Sequence, residues 1–487
     1  MLRRLVPPAI AHLALAPMLA HADTLQVGSD KPYTTIAAAV QAAGPGDVVE
    51  IDPGDYVDDI VVIDAGDITL RGVGDARAHV SSTSNIGNGK GIILINAGAQ
   101  AVTIEHLEFS GATVADNNGA GIRMQGTALV VRDCHFHDNQ NGILGGEDAT
   151  VEIYDSEFDH NGNPGSGQEH NVYIGTAASL VFQGNYSHHA YSGHTLKSRA
   201  QVNHILYNRL MDEQDGTSSY LVDLPQGGLS ILVGNLIEQG PVAENHGTIV
   251  NYKGEGGTND DLRLFMVNNT IVNDNTAAPG FVVVHVADEV VLRNNLFVGA
   301  GTMLQIDGGT SPVVTDEGNL QTDMPGLVDQ AGFDYHLADG SAAIDAGVAP
   351  GSADGFDLTP SLHYLHPAST EPRPEVDAID VGAYEFGMGP PVGESGSEGG
   401  ADSGTGDPTA GTGDTAGTGG SASASGGSAT AGGSADGSES GSGEGSAGGT
   451  NDGDGGGCGC THRDAPPHLA LAGLVLLVGA RRRRMRR

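Results

Sequence analysis

Positive charge is scarce in this chain: 22 Lys and Arg stand against 61 Asp and Glu in 487 residues. Between residues 23 and 388 the imbalance sharpens to 13 basic against 50 acidic side chains, near −37. Such a surface repels polyanions at long range and argues against nucleic acid as a partner. Cysteine is nearly as rare. Cys134 lies in the middle of the chain, while Cys458 and Cys460 lie close to its end. One cysteine cannot form a disulfide within the middle region, so Cys134 reads as a buried packing residue. Helical periodicity is also missing, apart from "YTTIAAAVQAA" at residues 33–43, which predicts a short capping helix after a first strand. A helical bundle is thereby excluded.

Both ends read as processing or attachment signals. Residues 1–22 carry Arg3 and Arg4, an apolar middle and a terminal "AHA", the layout of a secretory signal peptide. Residues 389–457 are almost wholly Gly, Ser, Ala, Thr, Asp and Glu. With almost no large apolar side chain to bury, this linker is expected to be disordered. Its 69 residues would span roughly 40–50 Å as a root-mean-square distance. Residues 458–487 hold a Gly-Cys-Gly-Cys element, an apolar run at 469–480 and a terminal arginine cluster. The apolar run is short for a membrane span, which needs roughly 17–25 residues. This pattern resembles the carboxy-terminal sorting signal of myxobacterial surface proteins. The resemblance implies an exported protein, held at the cell surface or outer membrane through this element or released.

The middle region alternates short β-branched runs with Gly, Asn and Asp turns. One signature recurs: an apolar strand, an Asn or Asp, and a second strand, as in "VVRDCHF", "ILYNRLM", "LVGNLIE" and "LRNNLFV". The marked positions are Asp133, Asp155, Asn185, Asn208, Asn235, Asn269 and Asn295, at steps of 22, 30, 23, 27, 34 and 26 residues. Strands without helices at that period predict a β-solenoid. An Asn at each turn tolerates the left-handed conformation and can bond the next Asn in the stack. The ladder is therefore expected to be structural. The repeat resembles the right-handed parallel β-helix of pectate-lyase-like proteins. That implies an all-β fold over residues 23–388, with a short amino-terminal capping helix, read as a monomer. "SAAIDAGVAP" and "AIDVGAYEF" resemble the segment that follows β-helices in many bacterial surface proteins.

Aligning the coils on their apolar residues predicts an inward column of Val172, Leu196, Val222, Val250 and Val284. The next residue outward would be Tyr173, Lys197, Asp223, Asn251 and His285. Two residues on, the outward column reads Gly175, Arg199, Pro225 and Lys253. His170, His188, His189, Tyr191 and His194 precede these strands, and Tyr220 opens the strand of Asp223. Lys197, Arg199, His194 and Tyr173 are the candidate catalytic residues. His170, Asp223, Asn251, Lys253 and Tyr220 are the candidate substrate-binding residues.

These side chains suit removal of the proton α to a carboxylate. A uronate lyase needs a cation for the C5 carboxylate, a base for the C5 proton and an acid for the leaving oxygen. An arginine close to a lysine favours the free amine by like-charge repulsion. Parallel β-helix lyases use Lys/Arg pairs in this way, and the resemblance implies that role here, on an acidic polysaccharide or other glycan. Uronate epimerases start with the same proton abstraction. A glycoside hydrolase would want two or three clustered carboxylates, and the column offers only Asp223. The competing reading is a non-catalytic glycan-binding protein or adhesin, in which exposed Lys197 pairs with Asp223 for at most about 1 kcal/mol. The residues fix no cofactor; Ca²⁺ is the candidate, as a bridge from an acidic protein to a polyanion. Neither Asp260 and Asp261 nor residues 116–118 show calcium-loop spacing. Zinc at His170, His188, His189 and His194 is the minor alternative, and "HFH" at 135–137 reads as one exposed side of a strand.

Overall fold

The computed structural model describes residues 22–387, apart from 65, 167, 168 and 375. The linker, the carboxy-terminal element and all but Ala22 of the leader lie outside the described residues. Among the described residues, no helix is long and apolar enough to cross a membrane.

Among the described residues the chain winds as a solenoid with three parallel sheets of twelve, eleven and ten strands. Each full coil gives one strand to each sheet. In one coil these are Ser179–Gln183 in sheet 1, Tyr186–His188 in sheet 2 and His194–Ser198 in sheet 3. Alternation along each strand sends one set of side chains into the bore and the other outward. Inside, like stacks on like: Phe109, Phe136 and Phe158 lie with ring centroids 4.9 and 4.8 Å apart, and Phe182 continues the stack at 6.1 Å. Buried aliphatic residues fill the rest of the bore and leave Cys134 fully enclosed. The expected capping helix spans Ile36–Ala42, with Thr35 Oγ1 accepting the Ala38 N–H.

The asparagine ladder runs through Asn185, Asn208, Asn235, Asn269, Asn295 and Asn319, at the corner between sheets 1 and 2. From Asn208 onward, each side-chain oxygen accepts the backbone N–H and the amide of the Asn one coil earlier. Each amide also donates to a main-chain carbonyl, as Asn235 does to Ile205 at 2.8 Å. Bonding to the next Asn is as expected, but the sequence reading misplaces two rungs. Cys134 and Ser156 hold the ladder position in the earlier coils, where the Cys134 N–H donates to Ser156 Oγ and the Ser156 N–H to Asn185 Oδ1. Asp133 and Asp155 sit one residue earlier, in the left-handed conformation at φ 47° and 48°. Gly184, Tyr207, Gly234, Asn268, Asn294 and Gly318 occupy the same backbone position in later coils, so the ladder residue itself is not left-handed.

Beyond the last coil, residues 327–372 form three small antiparallel pairs that fold back over the solenoid. Tyr335, Leu337, Tyr364 and Tyr384 pack on Tyr186, Met211, Leu236 and Leu296 of sheet 2. Ala353 and Leu358 join Tyr207, Ile231, Val233 and Phe265 on sheet 1. The outer faces of sheets 1 and 2 are apolar here because they are covered. The same coils present polar side chains on sheet 3.

Candidate functional site

The register of sheet 3 places Tyr173, Lys197, Asp223 and Asn251 side by side on four consecutive coils. The fifth member differs from the expected column: Val283, not His285, pairs with Asn251, and the inward residue is Val282. A strand reading "FVVVHV" is apolar on both faces, so a slip of two residues leaves its alternation unchanged. His285 belongs to the second outward column, and its Nε2 reaches Asn251 Oδ1 at 3.1 Å.

These side chains are not solvated. Lys197 and Asp223 are 7% and 2% exposed, and His170, His194 and Asn251 are also buried. The Lys197 ammonium lies 3.3 Å from Asp223 Oδ2 and 3.4 Å from Glu255 Oε1. Glu255 Oε2 lies 2.6 Å from Arg199 Nη2. A single carboxylate thus spans both cations. The surface-pair reading, with its small energy, fails because the partners are desolvated. Tyr173 forms one wall, its ring centre 5.6 Å from Lys197 Nζ and 5.1 Å from Arg199 Cζ.

Asp223 is the hub below. It meets His194 Nε2 at 3.3 Å and Lys197, and accepts the Asn251 amide at 2.7 Å. Burial raises its pKa, but the His194 hydrogen bond, the charges of His194 and Lys197, and the Asn251 amide outweigh that and bring it to about 2. It stays ionised. His194 Nδ1 accepts the Tyr220 N–H at 3.2 Å, and His170 Nδ1 accepts the His194 N–H at 3.0 Å. With Nδ1 turned to the main chain, Nε2 is the nitrogen that faces Asp223 and donates to it. Both of its nitrogens are engaged. The His170 and His194 rings stack at 4.6 Å, and Tyr173 and Tyr220 flank them. Burial first, then the charges of His194, Lys197 and Arg199, push the His170 pKa well below its usual value.

Lys253 stands at the rim in a left-handed turn and donates to the Gly257 carbonyl at 3.3 Å. The turn leads into "GEGG", which carries Glu255, a site residue missed in the sequence. Its signal is weak: an acid inside a glycine run just beyond an outward lysine. The four histidines weighed as a zinc site divide between two faces. His170 and His194 belong to sheet 3, whereas His188 ends a sheet 2 strand, where its Nε2 meets Glu157 at 3.3 Å. His189 Nε2 meets Asp215 at 3.0 Å. Asp261, once weighed for calcium, is paired with Arg263 at 2.6 Å.

A family model described as a right handed beta helix region matches residues 68–232. The solenoid of residues 24–322 is a right-handed parallel β-helix. Solved structures similar to this β-helix include pectate lyase Pel9A, at 14% identity and a TM-score of 0.41, covering 75% of this chain and 97% of that one. A pectin methylesterase from Aspergillus niger follows at 15% identity and a TM-score of 0.31, covering 68% and 92%. A mutant of the PL6 family alginate lyase AlyGC stands at 15% and 0.26, covering 66% and 57%. No curated protein matches the chain.

Proposed function

We propose that this β-helix is an exported, surface-tethered protein acting on a uronate-containing glycan, as a polysaccharide lyase or a related uronate epimerase. One observation carries the reading: the Glu255 carboxylate spans Lys197 and Arg199. The two cations therefore form a seat for a carboxylate, and a substrate uronate would take the place of Glu255. Tether and anchor are the roles proposed for residues 389–457 and 458–487, after removal of the 1–22 signal. The protein would work as a monomer.

In this reading Arg199 binds the C5 carboxylate and withdraws charge as the carbanion forms. Lys197, its own proton passed to solvent under the like charge of Arg199 once Glu255 has been displaced, takes the proton from C5. The freed electron pair forms the C4=C5 double bond, the C4–O4 bond breaks, and the Tyr173 hydroxyl supplies the proton to O4. An epimerase would instead return a proton to the opposite face of C5. His194, with both nitrogens engaged, positions Asp223, which holds Lys197. Asn251 fixes the other Asp223 oxygen. His170, Tyr220 and Lys253 line the sugar path. Ca²⁺ is the one cofactor kept in this proposal, as a bridge between acidic protein and polyanion.

The second reading is glycan binding without chemistry. It is favoured by the position of Lys197 between Asp223 and Glu255, the arrangement of an ammonium rather than a free amine. Incubation with alginate, pectate and glycosaminoglycans, with and without Ca²⁺, separates the two. The lyase produces the ultraviolet absorbance of an unsaturated uronate, and the epimerase an inverted C5 by NMR. Neither product from any substrate, with glycan binding retained, supports the binding module. Activity unchanged by Lys197→Ala and by Arg199→Ala would overturn the assigned site.

A further inference from the structure

Away from sheet 3, the outer face of sheet 2 changes character along the solenoid. The later coils are apolar and covered by the carboxy-terminal segment, but the earlier ones carry imidazoles interleaved with carboxylates. His79 lies on strand Ala78–Ser81, Glu108 on Leu107–Ser110 and His137 on His135–His137, three consecutive coils of that sheet. His79 pairs with Glu108 in register, and His137 is one coil further along the same face.

His137 Nε2 lies 3.0 Å from Glu108 Oε1, and His79 Nε2 lies 3.9 Å from the same oxygen. One ligand atom from each residue falls within 4.8 Å of the others. The far nitrogens are also held: His79 Nδ1 meets Asp55 Oδ1 at 3.3 Å, and His137 Nδ1 meets Asp138 Oδ2 at 2.8 Å. A carboxylate that accepts the Nδ1–H hydrogen bond fixes the tautomer whose Nε2 can ligate and holds the ring in place, the arrangement found behind metal-binding histidines. Both Nε2 atoms then face one place beside Glu108, where His79 Nε2 also meets the Ser110 hydroxyl at 2.7 Å, a neutral contact that a bound metal would displace. Ligand atoms around tetrahedral zinc lie about 3.4 Å apart for bonds of about 2.1 Å, so small ring rotations close the set. Two imidazoles and one carboxylate select a first-row transition ion over Ca²⁺ or Mg²⁺, which take oxygen ligands. The neighbouring set of His135, Glu157 and Asp159 offers only one imidazole. Its Nε2 is tied to Asp159 at 2.6 Å, and Asp159 also binds His160.

We propose that His79, Glu108 and His137 form a binding site for a divalent transition metal, Zn²⁺ in kind. Asp55 and Asp138 orient the two imidazoles, and the remaining position is left to water. The metal fastens three successive coils across the face that the carboxy-terminal segment leaves uncovered. The site is separate from sheet 3 and stands whether or not the glycan reading does.

The test uses the full chain carrying Cys458→Ser and Cys460→Ser, which removes competing thiols. After chelation, Co²⁺ is titrated and followed by visible absorption. The expected result is a tetrahedral band saturating at one equivalent, displaced by Zn²⁺, with a higher melting temperature in the bound form. His79→Gln, Glu108→Gln and His137→Gln should each weaken binding at least about tenfold, and Asp138→Asn about tenfold or more. His135→Gln should leave binding unchanged. Unaltered melting of the metal-free variants shows that the fold is intact. Absence of a band at one equivalent overturns the proposal. So does a band that survives His79→Gln and His137→Gln, or one lost with His135→Gln instead.

Discussion

Glu255→Ala removes the carboxylate that covers Lys197 and Arg199, and the structure sets the size of the effect. The closed contact is one charge-assisted hydrogen bond of 2.6 Å to Arg199 and a longer one of 3.4 Å to Lys197. A hydrogen bond between charged groups contributes roughly 1.5–3 kcal/mol net. The seat is then open in roughly one molecule in ten to one in a hundred, and apparent affinity is reduced by the same factor. Removing Glu255 should therefore tighten binding of uronate oligomers about 10- to 100-fold, while a neutral oligosaccharide of equal length is unaffected. Isothermal titration with oligogalacturonate and oligoalginate measures this directly. The gain should shrink with added salt less than for an exposed pair, because Lys197 and Arg199 are largely shielded from solvent. Unchanged or weaker uronate binding in Glu255→Ala would refute the view that this carboxylate occupies the substrate seat.

Asn235→Ala should destabilise the domain by about 2–4 kcal/mol in urea unfolding. It takes the acceptor from the buried Asn208 N–H and the donor from the Ile205 carbonyl; a loss below about 1 kcal/mol would show that the ladder is dispensable. The Asp223 pKa is depressed from an ordinary value of 3.8 to about 2. Its contribution, roughly 2 kcal/mol, is therefore complete above about pH 4 and lost as pH falls through about 2. Acid melts of the wild type and Asp223→Asn should converge over that window, and parallel curves would contradict the assignment. Burial pushes the Cys134 thiol up to about 12. In Cys458→Ser, Cys460→Ser protein, thiol reagents should stay silent until denaturant is added, and rapid native labelling would contradict the packing of the bore.

The repeat was legible because the ladder Asn and the apolar strand before it recur on every later coil. The same signal failed at Asp133 and Asp155, where Cys134 and Ser156 replace the ladder residue and the eye moves to the acid beside it. Tyr173, Lys197, Asp223 and Asn251 could be aligned because their strands alternate. His285 could not, because an all-apolar strand has no phase to lose. Glu255 escaped for a different reason: its place depends on how a glycine-rich turn folds back, and no periodicity encodes that. The partners of His137 were likewise hidden. His79 and Glu108 meet it only once the coils are counted, so "HFH" read in isolation looked like an ordinary exposed edge.

The sheet 3 register also bears on how such a protein can change. Tyr173, Lys197, Asp223 and Asn251 come one from each coil, and each stands beside an inward residue that packs on its own kind. A new outward side chain alters one position in the row and leaves the bore untouched. Gain or loss of a whole coil would lengthen or shorten the row by one position without breaking the stack. The row can thus change rung by rung, as in a lock whose pins are cut separately, while the barrel that holds them stays the same.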